Sequence, residues 1–246
     1  MRRLTEKQTR AYDPVEVSEQ RGLRTLHFAG GVAQSVMRVR DPIALELEYT
    51  RAAMLCAVLH PAARDIALIG LGGGSLAKFI HHHLPNAHLT ALEINPEVVA
   101  AARSYFFLPP NDARLTTITG DGAAWMATQH AQHDVLLLDG YDRKRIVAAL
   151  SSAEFYRHCH AALRPGGWAV FNLWAEEGRF HLYREAIETA FGSPAKVLPT
   201  EQKGNLLVFA QRQPAPPTDP AEVIARARDL TTWGFDVTAL AARLFA

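Results

Sequence analysis

Apolar runs that alternate with amphipathic stretches dominate the middle of the chain. The runs are candidate strands at 65–70, 88–94, 114–120, 134–140 and 168–174, and candidate helices lie between them at 75–83, 96–106, 123–130, 152–163 and 180–191. Apolar strands separated by helices are typical of an α/β fold with a parallel sheet covered on both faces. Two later runs, 195–199 and 205–211, predict an antiparallel pair at one edge of that sheet.

The two ends of the chain show different patterns. Short alternating stretches at 15–20, 23–30 and 32–39 are separated by glycines and predict a small antiparallel β-meander. A helix with a broad apolar face is expected from Leu45 to Leu59. Two amphipathic helices, at 221–230 and 237–245, could dock on the body or on a second subunit. We therefore predict a meander at 1–47, an α/β body at 48–212, and a proline-rich linker with a helical tail at 213–246.

Composition excludes several classes of protein. The 246 residues are 48% hydrophobic, which is enough for one substantial core. The 26 basic and 25 acidic residues give a net charge of +1, so no global field attracts nucleic acid or an acidic membrane, and we expect neither partner. No apolar run approaches the roughly 18 residues of a membrane span.

The cysteines and histidines predict no metal site. Cys56 and Cys159 are far apart and lack metal-ligand spacing, which favours reduced core thiols in a cytoplasmic protein. The run from His81 to His83 lies on one predicted helix, where consecutive residues face different directions.

A glycine turn follows the first strand of the body. Gly70, Gly72, Gly73 and Gly74 come between that strand and a helix, where glycines permit a tight turn and a close approach of a ligand. The strict dinucleotide pattern is broken, because Ser75 occupies its third glycine position. We expect Ser75 to cap the helix. A purely structural glycine turn is the alternative interpretation.

Acidic residues end the next strands. Glu93 lies about 20 residues beyond the turn, where a carboxylate can accept hydrogen bonds from both hydroxyls of a ribose. Asp121 follows the third strand and could accept from an adenine amino group, while Gly122 leaves room for the ring. Asp121 could also be a helix cap, and both roles are compatible. Together with the glycine turn, these acids suit an S-adenosyl compound better than a nicotinamide cofactor.

The fourth strand also ends in carboxylates. Asp139 and Asp142 stand at the edge of the sheet where ligands bind in open α/β folds. A carboxylate there can orient a sulfonium or bind an incoming amine. Tyr49, Tyr141 and Trp174 could supply aromatic walls, although core or rim positions would be equally ordinary for them.

In this order and spacing, GLGGGSL, ALEIN, GDG and LLLDGYD resemble the spermidine synthase (polyamine aminopropyltransferase) family, over about residues 23–211. The resemblance implies a Rossmann-like S-adenosylmethionine-dependent methyltransferase fold with a small N-terminal β-meander, and a homodimer. It also implies that Gln34 reaches the nucleoside from the meander, Glu93 binds the ribose, Asp121 binds the adenine, Asp139 is catalytic, and Asp142 is its companion in the amine site.

Three departures from the family pattern stand out. Gly73 replaces an aspartate that holds the aminopropyl amine of decarboxylated S-adenosylmethionine. The segment that usually reads D-S-x-D-P is Asp139-Gly140-Tyr141-Asp142 here, without the serine or the proline. The late P-T-Y-P motif is reduced to Pro199-Thr200 followed by Glu201. The resemblance is therefore to a divergent branch.

Three hypotheses follow for the function. The first is transfer of an aminopropyl group from decarboxylated S-adenosylmethionine to a small amine acceptor. The second is methyl transfer from intact S-adenosylmethionine, which the missing acid at Gly73 favours. The third is a nucleoside-binding homologue without catalysis. A basic triplet, 143–145, would oppose a dication if it lined the pocket and would matter little if it faced solvent.

Overall fold

The computed structural model describes residues 12, 14–28, 33–142, 145–146, 148–175, 178–201 and 204–246; of residues 141, 142, 145 and 146 it describes the backbone. The strands are β1 (Val15–Gln20), β2 (Leu23–Phe28), β3 (Ala33–Arg38), β4 (Asp65–Ile69), β5 (His88–Glu93), β6 (Leu115–Thr119), β7 (His133–Leu138), β8 (Tyr141–Asp142), β9 (Arg145–Ile146), β10 (Leu163–Trp174), β11 (Lys196–Pro199) and β12 (Asn205–Gln211). The helices are α1 (Glu48–Ala53), α2 (Leu55–Leu59), α3 (Ser75–His83), α4 (Pro96–Tyr105), α5 (Gly122–Met126), α6 (Ala153–Ala162), α7 (Phe180–Phe191), α8 (Pro220–Arg228) and α9 (Val237–Leu244).

The central sheet has the order β11-β12-β10-β7-β4-β5-β6 within the part of the chain that the structure describes. Strands β4, β5, β6, β7 and β10 are parallel, whereas β12 pairs antiparallel with both β10 and β11. The predicted parallel sheet and its antiparallel edge pair are therefore confirmed. Since β12 runs opposite to β10, its first residue lies at the same edge as the carboxyl ends of the parallel strands.

Apolar side chains cover the sheet on both faces. Strand β7 is buried along its whole length, as expected for a strand with helices on either side. One core cluster joins the sheet to α2, α3, α8 and α9, and the other joins it to α6 and α7. Cys56 and Cys159 are both buried and unpaired, and burial raises the pKa of the Cys56 thiol to about 12.

The tail helices dock on the body of this chain. Val223, Trp233 and Leu240 belong to the same core cluster as the central strands. Asp219 and Asp236 begin the two helices by accepting hydrogen bonds from Ala221 N and Ala239 N. No described helix is both long and apolar enough to cross a membrane.

Several predicted bounds were wrong. The helix expected over Leu45–Leu59 starts at Glu48 and is interrupted at Met54, whose ψ of −8° separates α1 from α2. The helix expected from residue 123 to 130 ends at Met126. Ser75 does not cap α3, because Gly74, in the left-handed conformation at φ 75°, takes the cap position.

Candidate active site

The glycine turn brings β4 against the end of β7. Gly70, Gly72 and Gly74 all have positive φ, at 94°, 53° and 75°. A Cβ on Gly70 would lie 2.8 Å from the carbonyl carbon of Asp139. Only glycine adopts these angles without strain and leaves room for the Asp139 backbone. The turn, which is the candidate nucleoside site, therefore lies beside the end of β7.

Glu93, at the end of β5, supports the glycine turn. Its Oε2 accepts from the backbone N–H groups of Leu71 and Gly72 at 3.1 and 3.4 Å, and its Oε1 accepts from Asn95 N at 3.0 Å. Burial raises the pKa of the Glu93 carboxyl, and these backbone donors oppose that rise. The carboxylate is therefore oriented from the backbone before any ligand arrives.

Asp121 lies one strand further along the same edge and is exposed. Its Oδ1 accepts from Ala123 N and Ala124 N at 2.8 and 3.2 Å, so it caps α5 as one of the two interpretations predicted. The cap does not occupy Oδ2. Gly122 is buried against β4: a Cβ there would lie 2.5 Å from Cγ2 of Ile69, so packing alone already requires a glycine.

The meander contacts the glycine turn through β3. Ser35 is buried, and its Oγ accepts from Gly73 N at 2.9 Å. Its neighbour Gln34 is the extra residue of a β-bulge, since Leu26 pairs with Ser35 while His27 pairs with Ala33. Bulges redirect side chains. Gln34, which is predicted to contact the nucleoside, is half-buried and lies next to the glycine turn.

Gly73 occupies a closed position. A Cβ on Gly73 would lie 2.9 Å from Cδ1 of Phe106 and 3.0 Å from Cβ of Ser35. Phe106 is held in turn by Lys78, whose Nζ donates to the Phe106 carbonyl at 2.7 Å and lies 3.0 Å from the Met37 sulfur. Gly73 stands where the family has an aspartate, and the Phe106 ring fills the space beside it.

Lys78 is a buried cation behind the turn. Its side chain is enclosed between β3, α3 and the segment after α4, and burial lowers its pKa to about 8. Desolvation is the sole cause of that shift.

Asp139 follows β7 and is held from two sides. Tyr49 Oη donates to its Oδ2 at 2.9 Å, and Asn172 Nδ2 donates to its Oδ1 at 2.7 Å. Burial raises the pKa of the Asp139 carboxyl, while these two hydrogen bonds lower it. The result is a carboxylate fixed in orientation at the ligand-binding edge of the sheet.

Asn172 is oriented by a further residue. Its Oδ1 accepts from Nδ2 of Asn205, the first residue of β12, at 2.9 Å. Asn172 and Asn205 are both buried, at 6% and 8% exposure. A hydrogen-bonded series therefore runs from the edge pair of strands to Asp139.

A second set of contacts fixes the turn after β11. Glu201 N donates to both carboxylate oxygens of Glu48 at 2.9 and 2.8 Å. Arg243 of α9 is paired with Glu48 and Glu201 at 3.4 and 3.0 Å, and it also donates to the Pro199 carbonyl. The helical tail thus joins this turn to α1, the helix that carries Tyr49.

The other predicted residues are placed less completely. Trp174 ends β10, half-buried, opposite Asn205. Tyr141 and Asp142 form β8, which pairs with β9, but their side chains lie outside the described part of the chain. The side chains of the basic triplet 143–145 also lie outside the described part of the chain.

Sequence reasoning missed several residues of the site: Ser35, Lys78, Ile94, Asn172 and Asn205. A local signal existed for the two asparagines, because Asn172 interrupts the apolar part of β10 and Asn205 is a polar residue at the start of the apolar strand β12. Ile94 is 46% exposed directly after Glu93 and offers an apolar surface at this edge. Among the described residues no group of three or more potential metal ligands occurs.

Comparison with known proteins identifies the fold and the family. The chain is similar to a probable spermidine synthase from Corynebacterium glutamicum, with a TM-score of 0.75 and 21% identity, covering 94% of this chain and 91% of that one. It is also similar to human methyltransferase-like protein 13 solved with SAH, with a TM-score of 0.67 and 22% identity, covering 81% of this chain and 93% of that one. The predicted methyltransferase-like fold is therefore confirmed.

Sequence comparison adds closer relatives. The polyamine aminopropyltransferase of Chromobacterium violaceum is 37% identical over 212 residues, which are 86% of this chain and 81% of that protein. The corresponding protein of Neisseria meningitidis serogroup A is 36% identical over 200 residues, covering 81% of this chain and 76% of that protein. The spermine/spermidine synthase domain matches residues 48–199. The chain therefore belongs to the spermine/spermidine synthase family.

Proposed function

We propose that this protein transfers an aminopropyl group from decarboxylated S-adenosylmethionine to a small amine acceptor. The observation that carries the proposal is the Asp139 carboxylate, which Tyr49 and Asn172 hold beside the glycine turn at 2.9 and 2.7 Å. Membership of the family, and relatives named polyamine aminopropyltransferase, support it. Two buried, unpaired cysteines support a cytoplasmic location.

The glycine turn and the first two acids suit the nucleoside of the donor. Glu93 would bind the ribose. The 3.4 Å bond from Gly72 N to its Oε2 is long enough for a ribose hydroxyl to replace it. Asp121 would accept from the adenine amino group through Oδ2, which its helix cap leaves available. Ile94 would offer the ring an apolar surface, and Gln34 would approach from the meander.

Asp139 would act as the general base that deprotonates the acceptor amine. An alkylamine has a pKa near 10 and arrives as an ammonium. Asp139 would bind that ammonium and take one proton from it. The amine nitrogen then forms a bond to the methylene carbon next to the sulfonium, the carbon–sulfur bond breaks, and its electron pair stays on the sulfur of methylthioadenosine. The proton leaves Asp139 for solvent.

General-base assistance of this kind contributes about 10²–10⁴-fold. Alignment of nitrogen, carbon and sulfur can contribute more, since effective molarities reach about 10⁵–10⁸ M. The rigid support of Asp139 from α1 and β10 serves both effects, because it fixes where the ammonium binds.

Methyl transfer from intact S-adenosylmethionine is the second candidate. The crowded position at Gly73 favours it, because an acid that would hold the amine of a decarboxylated donor would have to displace Phe106 or Ser35. A donor that keeps its carboxylate has no need of that acid.

A comparison of the two donors tests the proposal. The protein is incubated with an amine acceptor and either donor, and methylthioadenosine and S-adenosylhomocysteine are quantified by mass spectrometry. We expect methylthioadenosine from the decarboxylated donor, and its loss in Asp139→Asn. S-adenosylhomocysteine alone would establish methyl transfer instead. Absence of both products across a panel of diamines and monoamines would leave a nucleoside-binding homologue without catalysis.

A further inference from the structure

Asn205 is a buried polar residue in an apolar strand. Strand β12 reads NLLVFAQ, and Asn205 is its first residue, at 8% exposure. A buried amide without a partner destabilises the folded state, so such a residue in a strand needs a specific hydrogen bond. The bond that the structure shows is donation to Asn172 at 2.9 Å.

The direction of that bond is set by Asp139. An ionised carboxylate can only accept hydrogen bonds, so Asn172 must turn its NH₂ group towards Asp139. The carbonyl of Asn172 is then turned away from Asp139 and needs a donor, and Asn205 Nδ2 is that donor. If an acceptor replaced Asn205 Nδ2, the side-chain amide of Asn172 would rotate to donate to it. The carbonyl oxygen of Asn172 would then face the Asp139 carboxylate.

Asn205 does not itself contact the reacting groups. It acts through Asn172, and the two are joined across β10 and β12, whose register places Asn205 opposite Trp174. Both strand positions are rigid parts of the sheet, so the amide pair is fixed relative to Asp139. A residue that acts in this way is a positioning residue.

We propose, resting on the proposed function, that Asn205 is a positioning residue for the reaction: it locks the amide of Asn172 with its donor side towards Asp139 and so keeps Asp139 ionised and correctly oriented for the acceptor ammonium. The family pattern of glycines and acids does not include this residue, and its role follows from the hydrogen bonds alone.

Few described titratable groups face Asp139. Helix α1 presents Tyr49, whose hydroxyl donates to it. Strand β10 presents Asn172, and the glycine turn presents backbone. Glu93 turns its carboxylate to Leu71 and Gly72, and Glu48 is paired with Arg243. The side chains of residues 141–147 lie outside the described part of the chain.

The pH profile of kcat/KM tests the proposal. In Asn205→Asp, an isosteric change that replaces the donor by an acceptor, the acid limb should move to higher pH by about one unit or more, because Asp139 loses a donor that favours its charged form. Asn205→Ala should shift the limb in the same direction. Leu206→Val, at the next position of β12, is the matched control and should keep the limb in place.

If Asn205 had a structural role alone, its variants would lower the maximum value of kcat/KM without moving the acid limb of the pH profile. An acid limb that stays in place in both variants would overturn the proposal. Should Asn205→Asp fail to fold, Asn205→Ala carries the same test. Binding of methylthioadenosine, measured by calorimetry, should change by less than about threefold, since the nucleoside residues are untouched.

A titration without turnover separates this inference from the proposed function. Asp139 is followed by ¹³C NMR of labelled aspartate carboxyls and assigned by its absence in Asp139→Asn. A higher pKa of Asp139 in Asn205→Ala than in the wild type supports the positioning role even if aminopropyl transfer is not found. An equal pKa refutes the positioning role even if transfer occurs.

Discussion

A Cβ atom on Gly70 would stand 2.8 Å from the carbonyl carbon of Asp139, and closer still to its carbonyl oxygen. The two residues directly follow the neighbouring strands β4 and β7, and Asp139 N donates to the Ile69 carbonyl at 2.8 Å. The glycine turn and the candidate catalytic residue are therefore in direct backbone contact. Any displacement of one is transmitted to the other.

Gly70→Ala should destabilise the protein more than another glycine substitution at positive φ. Gly166 is the matched control, with φ 84° and open space around its missing Cβ, against φ 94° for Gly70. Gly166→Ala should cost about 1–3 kcal/mol from backbone strain alone. Gly70→Ala should cost about 1–3 kcal/mol more, because the methyl group displaces the Asp139 backbone. Urea unfolding of both variants measures this, and equal losses would contradict the contact.

Asp139→Asn should abolish turnover and yet stabilise the protein at neutral pH. The pKa of Asp139 is raised in the folded state, chiefly by burial, so folding favours the protonated form. The ionised form therefore penalises folding, and this penalty grows as the pH rises from 3.8, the ordinary value, to the raised pKa. Above that range the penalty is constant.

Thermal unfolding of wild type and Asp139→Asn across the acid range checks this sign. The variant should gain in melting temperature relative to the wild type as the pH rises, while its affinity for methylthioadenosine stays nearly unchanged. A variant that loses stability with rising pH relative to the wild type would show that the two hydrogen bonds outweigh the burial.

Lys78→Met should remove a pH dependence of stability on the alkaline side. The pKa of Lys78 falls from 10.5 to about 8 on folding, so the penalty of its buried charge is complete below pH 8 and is relieved as the pH rises towards 10.5. Relief of the whole shift corresponds to about 3 kcal/mol. Urea unfolding between these two pH values should show the gain in the wild type and in Lys196→Met, and its absence in Lys78→Met.

Gly73→Asp should cost less stability when Phe106 is made smaller. The new Cβ would lie 2.9 Å from Cδ1 of Phe106, so the single variant should lose about 1–3 kcal/mol of stability through overpacking. Phe106→Ala destabilises the core by itself, by about 3–5 kcal/mol, but Gly73→Asp should cost less in that background than in the wild type, and a double-mutant cycle by urea unfolding would record the difference as coupling. If the acid then reaches the donor, calorimetry should show increased preference for decarboxylated over intact S-adenosylmethionine. Additive losses would mean that Phe106 is not what closes the position.

Hydrogen-bonding details of the site could not be read from the pattern of residues. Glu93, Asp121 and Asp139 were identifiable because each is an acid at the end of an apolar strand, and parallel strands end at a common edge. Asn172 and Asn205 are 33 residues apart. They meet each other, and Asn172 meets Asp139, because β12 runs antiparallel beside β10. The register of such a pair depends on packing of the edge strands and not on a local motif.

The sequence by itself determined the alternation of strands and helices, the glycine turn and the order of the acids, since each is written in hydrophobic spacing or in a short local motif. Tertiary structure alone decided that Phe106 fills the space beside Gly73, that Lys78 is buried behind the turn, and that the tail docks on its own body. These outcomes depend on which surfaces meet across long separations along the chain. Close packing selects those partners through shape and through the need to satisfy every buried polar group.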